Sequence, residues 1–546
     1  MAPANRARAA LTQAALKAHQ RSEGPPRTSR EALSAWARAH MPERDLLVLS
    51  NREPWSHVQG DDGPRAVRNA GGLTVALDAV MQALGGVWVA HGSGDADRET
   101  VDEHDRVACP PGRPRYQLRR IWLSAEEQAG YYSGFANSAL WPLCHVVYVR
   151  PRFTLADWEQ YQAVNRRFAE AALAEVGDRP ALVFIQDYHL ALAAKYLKEA
   201  RPDLQVALFW HIPWPNPEVF RVLPWGREVL EGMLSNDVLG FHIRRHAMNF
   251  MDCVSDVFEA RVDVERMAVD RGSRRTWVRP FAISVDAEEL GTLADSAETV
   301  RAAERVRHEL GAEGCRVVLG VDRLDYTKGL TERFAAYDRF LEKHAHWRDR
   351  VVFIQVAVPS RIELPEYRAV GDSVRAWTQT LNRRYPRESG PTVHLIERNL
   401  DFRELVPLYR LADVCMVTSL HDGMNLVAKE YVAASPDLDG ALVLSPFTGA
   451  ARELEPAWIV SPYDQEGMAD ALAQALDTPE AERRERMGRL RETVLRRNIF
   501  DWTLEVLDTI VGLGLRTPAA FRPPDAPDPG GQVAAADGRP DAGGDS

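Results

Sequence analysis

The run 316–321 is apolar and β-branched, and it leads directly into Gly320-Val-Asp-Arg-Leu-Asp-Tyr-Thr-Lys328-Gly. A strand of that composition is buried on both faces, which calls for a parallel sheet covered by helices on either side. The fold class this demands is α/β. Arg323 and Lys328 are expected in the loop at the carboxyl end of that strand, where open α/β sheets bind ligands. An Arg fork holds two phosphate oxygens and a Lys adds a compact positive charge, so together they suit a pyrophosphate. A surface salt-bridge pair would leave the same trace in sequence, and the motif alone keeps both readings open.

The same alternation runs through the rest of the chain. Strands are expected at 46–50, 182–186 and 206–210, with Gly71-Gly72-Leu73 opening a helix to about Leu84 and a further helix over 191–200. A second series is expected at 317–321, 351–356, 414–418 and 442–444. The join lies near 284–286, where the sheet-like 277–285 gives way to a charged helix. This divides the chain into a basic, poorly ordered extension (1–44), a first Rossmann-like domain (45–285), a second (286–515), whose last helix packs back on the first, and a disordered tail (516–546) rich in Pro, Gly, Asp and Ala. A length of 546 residues suits two domains with a cleft between them.

A net charge of −11 argues against broad nucleic-acid binding, so any anion site is local. Cys109, Cys144, Cys253, Cys315 and Cys415 are scattered without C-x-x-C spacing and read as reduced, buried thiols. No stretch reaches the ~18 apolar residues of a membrane span, and no signal-peptide apolar region opens the chain. The expectation is a cytoplasmic protein. The first 22 residues are rich in Ala and Arg and lack acids, as organelle transit peptides do, but read more simply as a basic extension.

A second constellation follows the 414–418 strand: His421-Asp422-Gly423-Met424-Asn425-Leu426-Val427-Ala428-Lys429-Glu430. A helix starting near Met424 aims free N–H groups and its positive dipole end at a phosphate or sugar oxygen, with Glu430 one to two turns inside to hold a ribose diol. The plainer alternative makes Asp422 an N-cap and Glu430 the partner of a nearby Arg.

With Ser50-Asn51-Arg52, Gly71-Gly72-Leu73, Tyr131-Tyr132 through Leu140-Trp141-Pro142, Asp187-Tyr188-His189 and His211-Ile212-Pro213, these motifs form an ordered set. Over roughly 46–513 the set resembles the trehalose-6-phosphate synthase family, retaining two-domain glucosyltransferases of GT-B architecture in glycosyltransferase family 20. The resemblance implies a donor, UDP-glucose or GDP-glucose, held mainly by the second domain, and glucose 6-phosphate held mainly by the first. By similarity Arg323 and Lys328 bind the diphosphate, Glu430 the ribose, and Asp422 with the 424–426 backbone (Met424, Asn425, Leu426) the glucose, with Gly72 and His211 also facing the donor. Arg52, Tyr132, Trp141 and Arg361 resemble the acceptor phosphate clamp, and Asp187 the carboxylate on the acceptor hydroxyl.

The catalytic set so implied is Asp187, Arg323, Lys328 and Asp422. Same-face attack with leaving-group assistance needs no covalent nucleophile. No Asp-x-Asp motif stands where such transferases usually carry one, so no metal and no cofactor beyond the nucleotide sugar is implied. A separate trehalose-6-phosphate phosphatase would act downstream, and monomer and homo-oligomer are both left open.

The chain also departs from the family pattern. Val89-Ala90-His91-Gly92-Ser93-Gly94 stands where Gly-Trp-Ser-Gly is usual, which puts His91 in the place of a Trp against the acceptor. Gln186 replaces the usual His before Asp-Tyr-His, and Pro280-Phe281-Ala282-Ile283 replaces Pro-Ile-Gly-Ile. These changes leave another phosphorylated acceptor open; the enzymatic rival is a glucosylglycerol-phosphate synthase, which the loop Asn51-Arg52-Glu53-Pro54-Trp55 resembles, while Tyr132, Trp141 and Arg361 together favour glucose 6-phosphate. A silent, sugar-phosphate-sensing relative is the rival from another class, set against it the full diphosphate ligand set.

Overall fold

The structure of the chain, a computed structural model, describes residues 28–69 and 71–514. The strands expected from β-branched runs form two sheets. The first is ten-stranded, in the order Arg261–Asp263, Ala268–Arg271, Arg274–Pro280, Val238–Phe241, Gln205–Trp210, Ala181–Gln186, Asp45–Arg52, Val87–His91, Tyr116–Ile121, Arg106–Cys109. Its interior is parallel, and only the outer strands at each edge turn antiparallel. Ala181–Gln186 is buried at every position, as a strand covered on both faces must be. The second sheet is six-stranded and wholly parallel, in the order Val393–Ile396, Val351–Val358, Arg316–Arg323, Val414–Val417, Ala441–Leu444, Trp458–Ile459. Together they make the α/β, two-sheet architecture that the sequence calls for.

Each sheet has one strand from which the chain winds first one way and then the other. In the first it is Asp45–Arg52, flanked by Val87–His91 and Ala181–Gln186; in the second it is Arg316–Arg323, flanked by Val351–Val358 and Val414–Val417. Crevices open at the carboxyl ends of such switch points. Arg52 and Asp187 stand at the first, and Arg323 and Asp422 at the second.

The two units touch at close range. A Cβ on Gly423 would lie 2.1 Å from the His211 carbonyl, so that crossing excludes a side chain, and one on Gly72 would lie 2.9 Å from Leu426 Cδ1, which would have to move aside. The last helix, Ile499–Gly514, lies against the first sheet, where the Trp502 ring sits 5.1 Å from Phe209 and 6.0 Å from Phe184.

Two sequence expectations need correction. The extension over 1–44 is not poorly ordered from Thr28 onward: Arg30–His40 is a helix capped by Ser29, with Leu33 fully buried. It is pinned by Ser34 Oγ donating to Ala83 O (2.7 Å), Thr28 N–H donating to Asp501 Oδ1 (2.9 Å) and Asn498 Nδ2 donating to Thr28 O (3.1 Å). Its partners lie far off in sequence, which is why composition reads it as tail. The central strand of the second sheet also runs on through Asp322, so Arg323 is its final residue rather than part of the loop. The charge of Asp322 is matched inside the sheet by Arg333 Nη1 at 2.5 Å. The 1–27 and 516–546 readings lie outside the described residues.

Candidate active site

Lys328 ends a short turn, Tyr326–Lys328, capped by Asp325, whose Oδ1 accepts from Thr327 N–H (3.0 Å) and Thr327 Oγ (2.9 Å). Lys328 Nζ meets Asp422 Oδ2 at 2.5 Å. Burial alone would raise the Asp422 carboxyl, but the Lys328 ammonium outweighs it and holds the group at about 2. Asn425, at φ 72°, rather than Asp422, is the N-cap of helix Leu426–Ala433. Its Oδ1 accepts from Ala428 N–H (3.3 Å), and its Nδ2 donates to Asp422 Oδ2 (3.2 Å) and Ser419 Oγ (3.3 Å). The helix therefore begins two residues later than expected and leaves its first amides without intrahelical partners beside Asp422.

Glu430 lies inside that helix, buried, with Oε2 accepting from Tyr409 OH at 2.7 Å. Burial pushes its carboxyl above the usual range, against the Tyr409 hydrogen bond. A Cβ on Gly72 would lie 3.5 Å from Glu430 Oε1, so the first helix of the first domain opens onto this carboxylate. His211 follows strand Gln205–Trp210, and its Nε2 lies 2.9 Å from Gln186 Oε1. Burial keeps the ring neutral.

Asp187 sits at the end of strand Ala181–Gln186 with φ 74°, a conformation that L side chains adopt only under constraint. Its Oδ1 accepts from Tyr188 N–H (2.9 Å) and His211 N–H (3.1 Å). Burial raises its carboxyl to about 7, with those two amides and then Arg361 and Arg323 pulling the other way.

Arg361 is also at positive φ, 49°, and comes from the second unit. Its Nη1 donates to Tyr367 OH (2.6 Å), its Nη2 donates to Tyr188 OH (3.1 Å), and the guanidinium lies 4.3 Å from the Trp141 ring centre. Arg323 stacks on the same Trp141 at 5.2 Å, and both arginines flank Asp325, at 3.5 Å and 3.6 Å. Trp141 thus has both guanidinium groups within cation–π range.

Tyr132 lies on Gln128–Leu140, wound with i→i+5 hydrogen bonds, a rare geometry found mostly at functional sites. Arg52 Nη2 donates to its hydroxyl at 3.4 Å. Burial would raise the Tyr132 phenol, but Arg361 and Arg52 bring it down to about 7. His91, at the end of Val87–His91, approaches Ile121 O at 3.3 Å through Nδ1 and is kept neutral chiefly by burial. With Arg52, Ser93, Gln128 and Tyr132 it lines a cavity of about 360 Å³.

The structure thus gathers the sequence-selected residues into two adjoining groups: Lys328, Asp422, Asn425 and Glu430 on one side, and Arg52, Tyr132, Trp141, Asp187 and Arg361 on the other. Asp325, acted on by Arg323, Arg361 and Lys328, links the two. Three groups were not singled out from sequence. Asp325 ties Arg323 to Arg361, Tyr367 and Tyr188 orient Arg361, and Tyr188 OH donates to Asn137 Oδ1 at 2.7 Å. Tyr188 was visible inside Asp187-Tyr188-His189, and Asp325 between Arg323 and Lys328. Tyr367 had no local signal.

Residues 44–511 match the family described as glycosyltransferase family 20. The trehalose-6-phosphate synthase of Mycobacterium avium (strain 104) is 39% identical over 480 residues, covering 86% of this chain and 96% of the relative. That of Mycolicibacterium smegmatis is 38% identical over 479 residues, covering 86% and 93%. Among solved structures, an alpha,alpha-trehalose-phosphate synthase (UDP-forming) from Burkholderia xenovorans in complex with glucose-6-phosphate superposes with TM-score 0.77 at 30% identity, covering 85% of this chain and 99% of the other. A structure from E. coli bound with UDP-2-fluoro glucose superposes with TM-score 0.76 at 30% identity, covering 86% and 99%.

Proposed function

The chain belongs to glycosyltransferase family 20, and from that premise we propose that it moves glucose from a nucleoside-diphosphate glucose to glucose 6-phosphate, giving alpha,alpha-trehalose 6-phosphate. The observation that carries the reading is the pair of switch-point crevices linked through Asp325: Lys328 and Asp422 beside an anion-suited helix start in one, Arg323 and Arg361 against Trp141 in the other. The relatives' names and the ligands of the two solved structures support the same substrates.

In this reading Arg323 and Lys328 hold the diphosphate and neutralise the charge that grows as it departs. Asp422, held ionised by Lys328, and the amides at 424–426 receive the glucose hydroxyls, while Glu430 holds the ribose. His211, neutral, adds a donor or acceptor to the sugar. Arg361, Arg52 and Tyr132 receive the acceptor phosphate, Trp141 excludes water between the two anions, and Asp187 faces the attacking hydroxyl. The protein supplies placement and charge, so no covalent carboxylate is needed and the leaving oxygen takes the acceptor proton.

We assign no metal requirement, since side chains provide the cations: activity is expected to survive chelation by EDTA. A cytoplasmic setting fits the five buried, free cysteines, and among the described residues no helix is long and apolar enough to cross a membrane. A separate phosphatase would consume the product.

The Asp187 assignment gives a pH signature. Its carboxyl is raised to about 7 in the folded protein, so the ionised form that accepts a hydroxyl hydrogen bond is lost as pH falls through that value. The acceptor kcat/KM is expected to fall on the acid side of neutrality, and Asp187→Asn to abolish that limb along with most of the rate. An unchanged acid limb in the Asn variant would remove Asp187 from this role.

Purified protein incubated with UDP-glucose or GDP-glucose against glucose 6-phosphate, glycerol 3-phosphate and no acceptor tests the function, with products identified by mass. Trehalose 6-phosphate is the expected product. Transfer only to glycerol 3-phosphate would favour the glucosylglycerol-phosphate reading, for which His91 in the pocket is the one specific observation. No transfer with any pair would point to the sensing relative.

A further inference from the structure

Beneath the pocket that holds Arg52 and His91 lies a charged cluster with no exposure to solvent. Glu53, Asp97 and Arg120 are each fully buried. Glu53 Oε2 accepts from Arg120 Nε (2.8 Å), and Glu53 Oε1 accepts from both Ser93 N–H (2.9 Å) and Ser93 Oγ (3.0 Å). Arg120 Nη1 donates to Asp97 O (3.1 Å) and Thr100 Oγ1 (2.9 Å). Its Nη2 donates to Trp55 O (3.1 Å) and His57 Nδ1 (2.9 Å) and lies 2.7 Å from Asp97 Oδ1. Every donor of the guanidinium is engaged.

Asp95 and Asp97 spell Asp-x-Asp, but both are committed elsewhere. Asp97 accepts from His57 N–H and Gly94 N–H, both at 2.6 Å, and Asp95 accepts from Gln59 N–H at 3.0 Å.

The cluster ties together the two segments that run on from paired strand ends, where Arg52 already stands opposite His91 in the sheet. One begins at Glu53, the residue after Arg52; the other carries Ser93, two residues after His91. Arg52, His91 and Ser93 line the same cavity. The loops are packed without slack: a Cβ on Gly94 would lie 2.2 Å from His57 O, and one on Gly92 would lie 2.5 Å from the Trp122 ring. Burial and the adjoining Asp97 carboxylate push the Glu53 carboxyl up to about 8, against the pull of Arg120, so the guanidinium is balanced chiefly by Asp97. Burying such a cluster is a costly way to stabilise a fold, since a well-packed apolar set does as well or better. What it adds is fixed geometry.

We propose that Arg120, clamped between Glu53 and Asp97, is a positioning residue for acceptor selection: through Glu53 it sets where Ser93 and its loop stand against Arg52 and His91, whose own spacing the sheet fixes. The inference rests on reading that cavity as part of the acceptor site, and deepens the proposed function by naming what shapes its specificity. It also accounts for the departure at His91. Beside the smaller His91 ring the cavity is lined by Ser93, which Glu53 holds through both its N–H and its Oγ.

The test compares Arg120→Lys, Glu53→Gln and Ser93→Ala with the parent enzyme. KM and kcat are measured for glucose 6-phosphate and glycerol 3-phosphate, with UDP affinity by calorimetry and melting temperature alongside. Lys keeps the charge but lacks the fork that spans both loops. Because a displacement of about 1 Å in a positioning group costs up to ~100-fold, the Arg120 and Glu53 variants are expected to raise the glucose 6-phosphate KM by about 10- to 100-fold. UDP affinity should stay within about twofold, and the preference between the two acceptors should shift by about tenfold.

Folded variants with an unchanged acceptor preference, or UDP affinity that weakens in step with the acceptor, would overturn the proposal. Should Arg120→Lys fail to fold, Glu53→Gln and Ser93→Ala decide the matter. If the parent enzyme uses a different acceptor, the functional reading fails, while the same ratios taken against that acceptor still judge the positioning role.

Discussion

Arg323→Ala is expected to lower kcat/KM by about 10³-fold or more, the scale on which fixed donors and arginine residues stabilise departing phosphoryl charge. The expectation follows from position. Arg323 ends the central strand of the second sheet and stacks 5.2 Å from Trp141, which in the proposed reading sets it between the two anions of the reaction. Its contribution to folding is small, because its side chain is 32% exposed and its ion pair to Asp325 is loose, at 3.5 Å. Arg361, at 3.6 Å, remains on that carboxylate when Arg323 is removed. Turnover should therefore collapse with little change in melting temperature. Near-normal turnover in a folded variant would remove Arg323 from the diphosphate site.

Arg361→Lys is expected to act on the other substrate, raising the acceptor KM by about 100-fold while UDP binding stays near that of the parent, because a point charge cannot reproduce a planar fork. Lys is the informative replacement. It keeps a cation near the buried Asp325, whereas Ala would leave that carboxylate with Arg323 and Lys328 alone and confuse a binding defect with a folding one. The structure holds Arg361 by two phenols and an indole plate. These are features of pre-organisation, so the loss should appear in KM and in kcat/KM before it appears in stability. A kcat loss at unchanged KM would move Arg361 from binding to chemistry.

How far the sequence could be read depended on where the forces were local. The buried parallel strands were legible because β-branched runs covered on both faces leave an uninterrupted apolar signal, as in Ala181–Gln186. The signal failed where a charge is compensated at a distance: Asp322 looked like the end of its strand because its partner Arg333 lies on the following helix. The i→i+5 segment Gln128–Leu140 had no readable period, and the hairpin Trp55–Gly60 with Gly63–Arg68 is polar and half exposed.

At the site, the motifs located Arg323, Lys328, Asp422 and Glu430, but not the exact helix start, which the Asn425 cap decides. The relations among residues were beyond reach. Tyr367 orients Arg361, and Asp325 ties Arg361 to Arg323, only because three segments converge in space. The Glu53–Arg120–Asp97 cluster was likewise invisible, since its members are far apart in sequence and each looks like an ordinary surface charge.

In the proposed reading the donor diphosphate and the acceptor phosphate occupy two separate, adjoining crevices that meet at Arg323. Calorimetric titration of UDP and of glucose 6-phosphate, each alone, into the parent, Lys328→Ala and Arg361→Lys proteins separates them. A crossed result is expected: UDP binding lost in the Lys328 variant and kept in the Arg361 variant, with glucose 6-phosphate showing the reverse. Loss of both ligands in either folded variant, or of neither ligand in both, would contradict it.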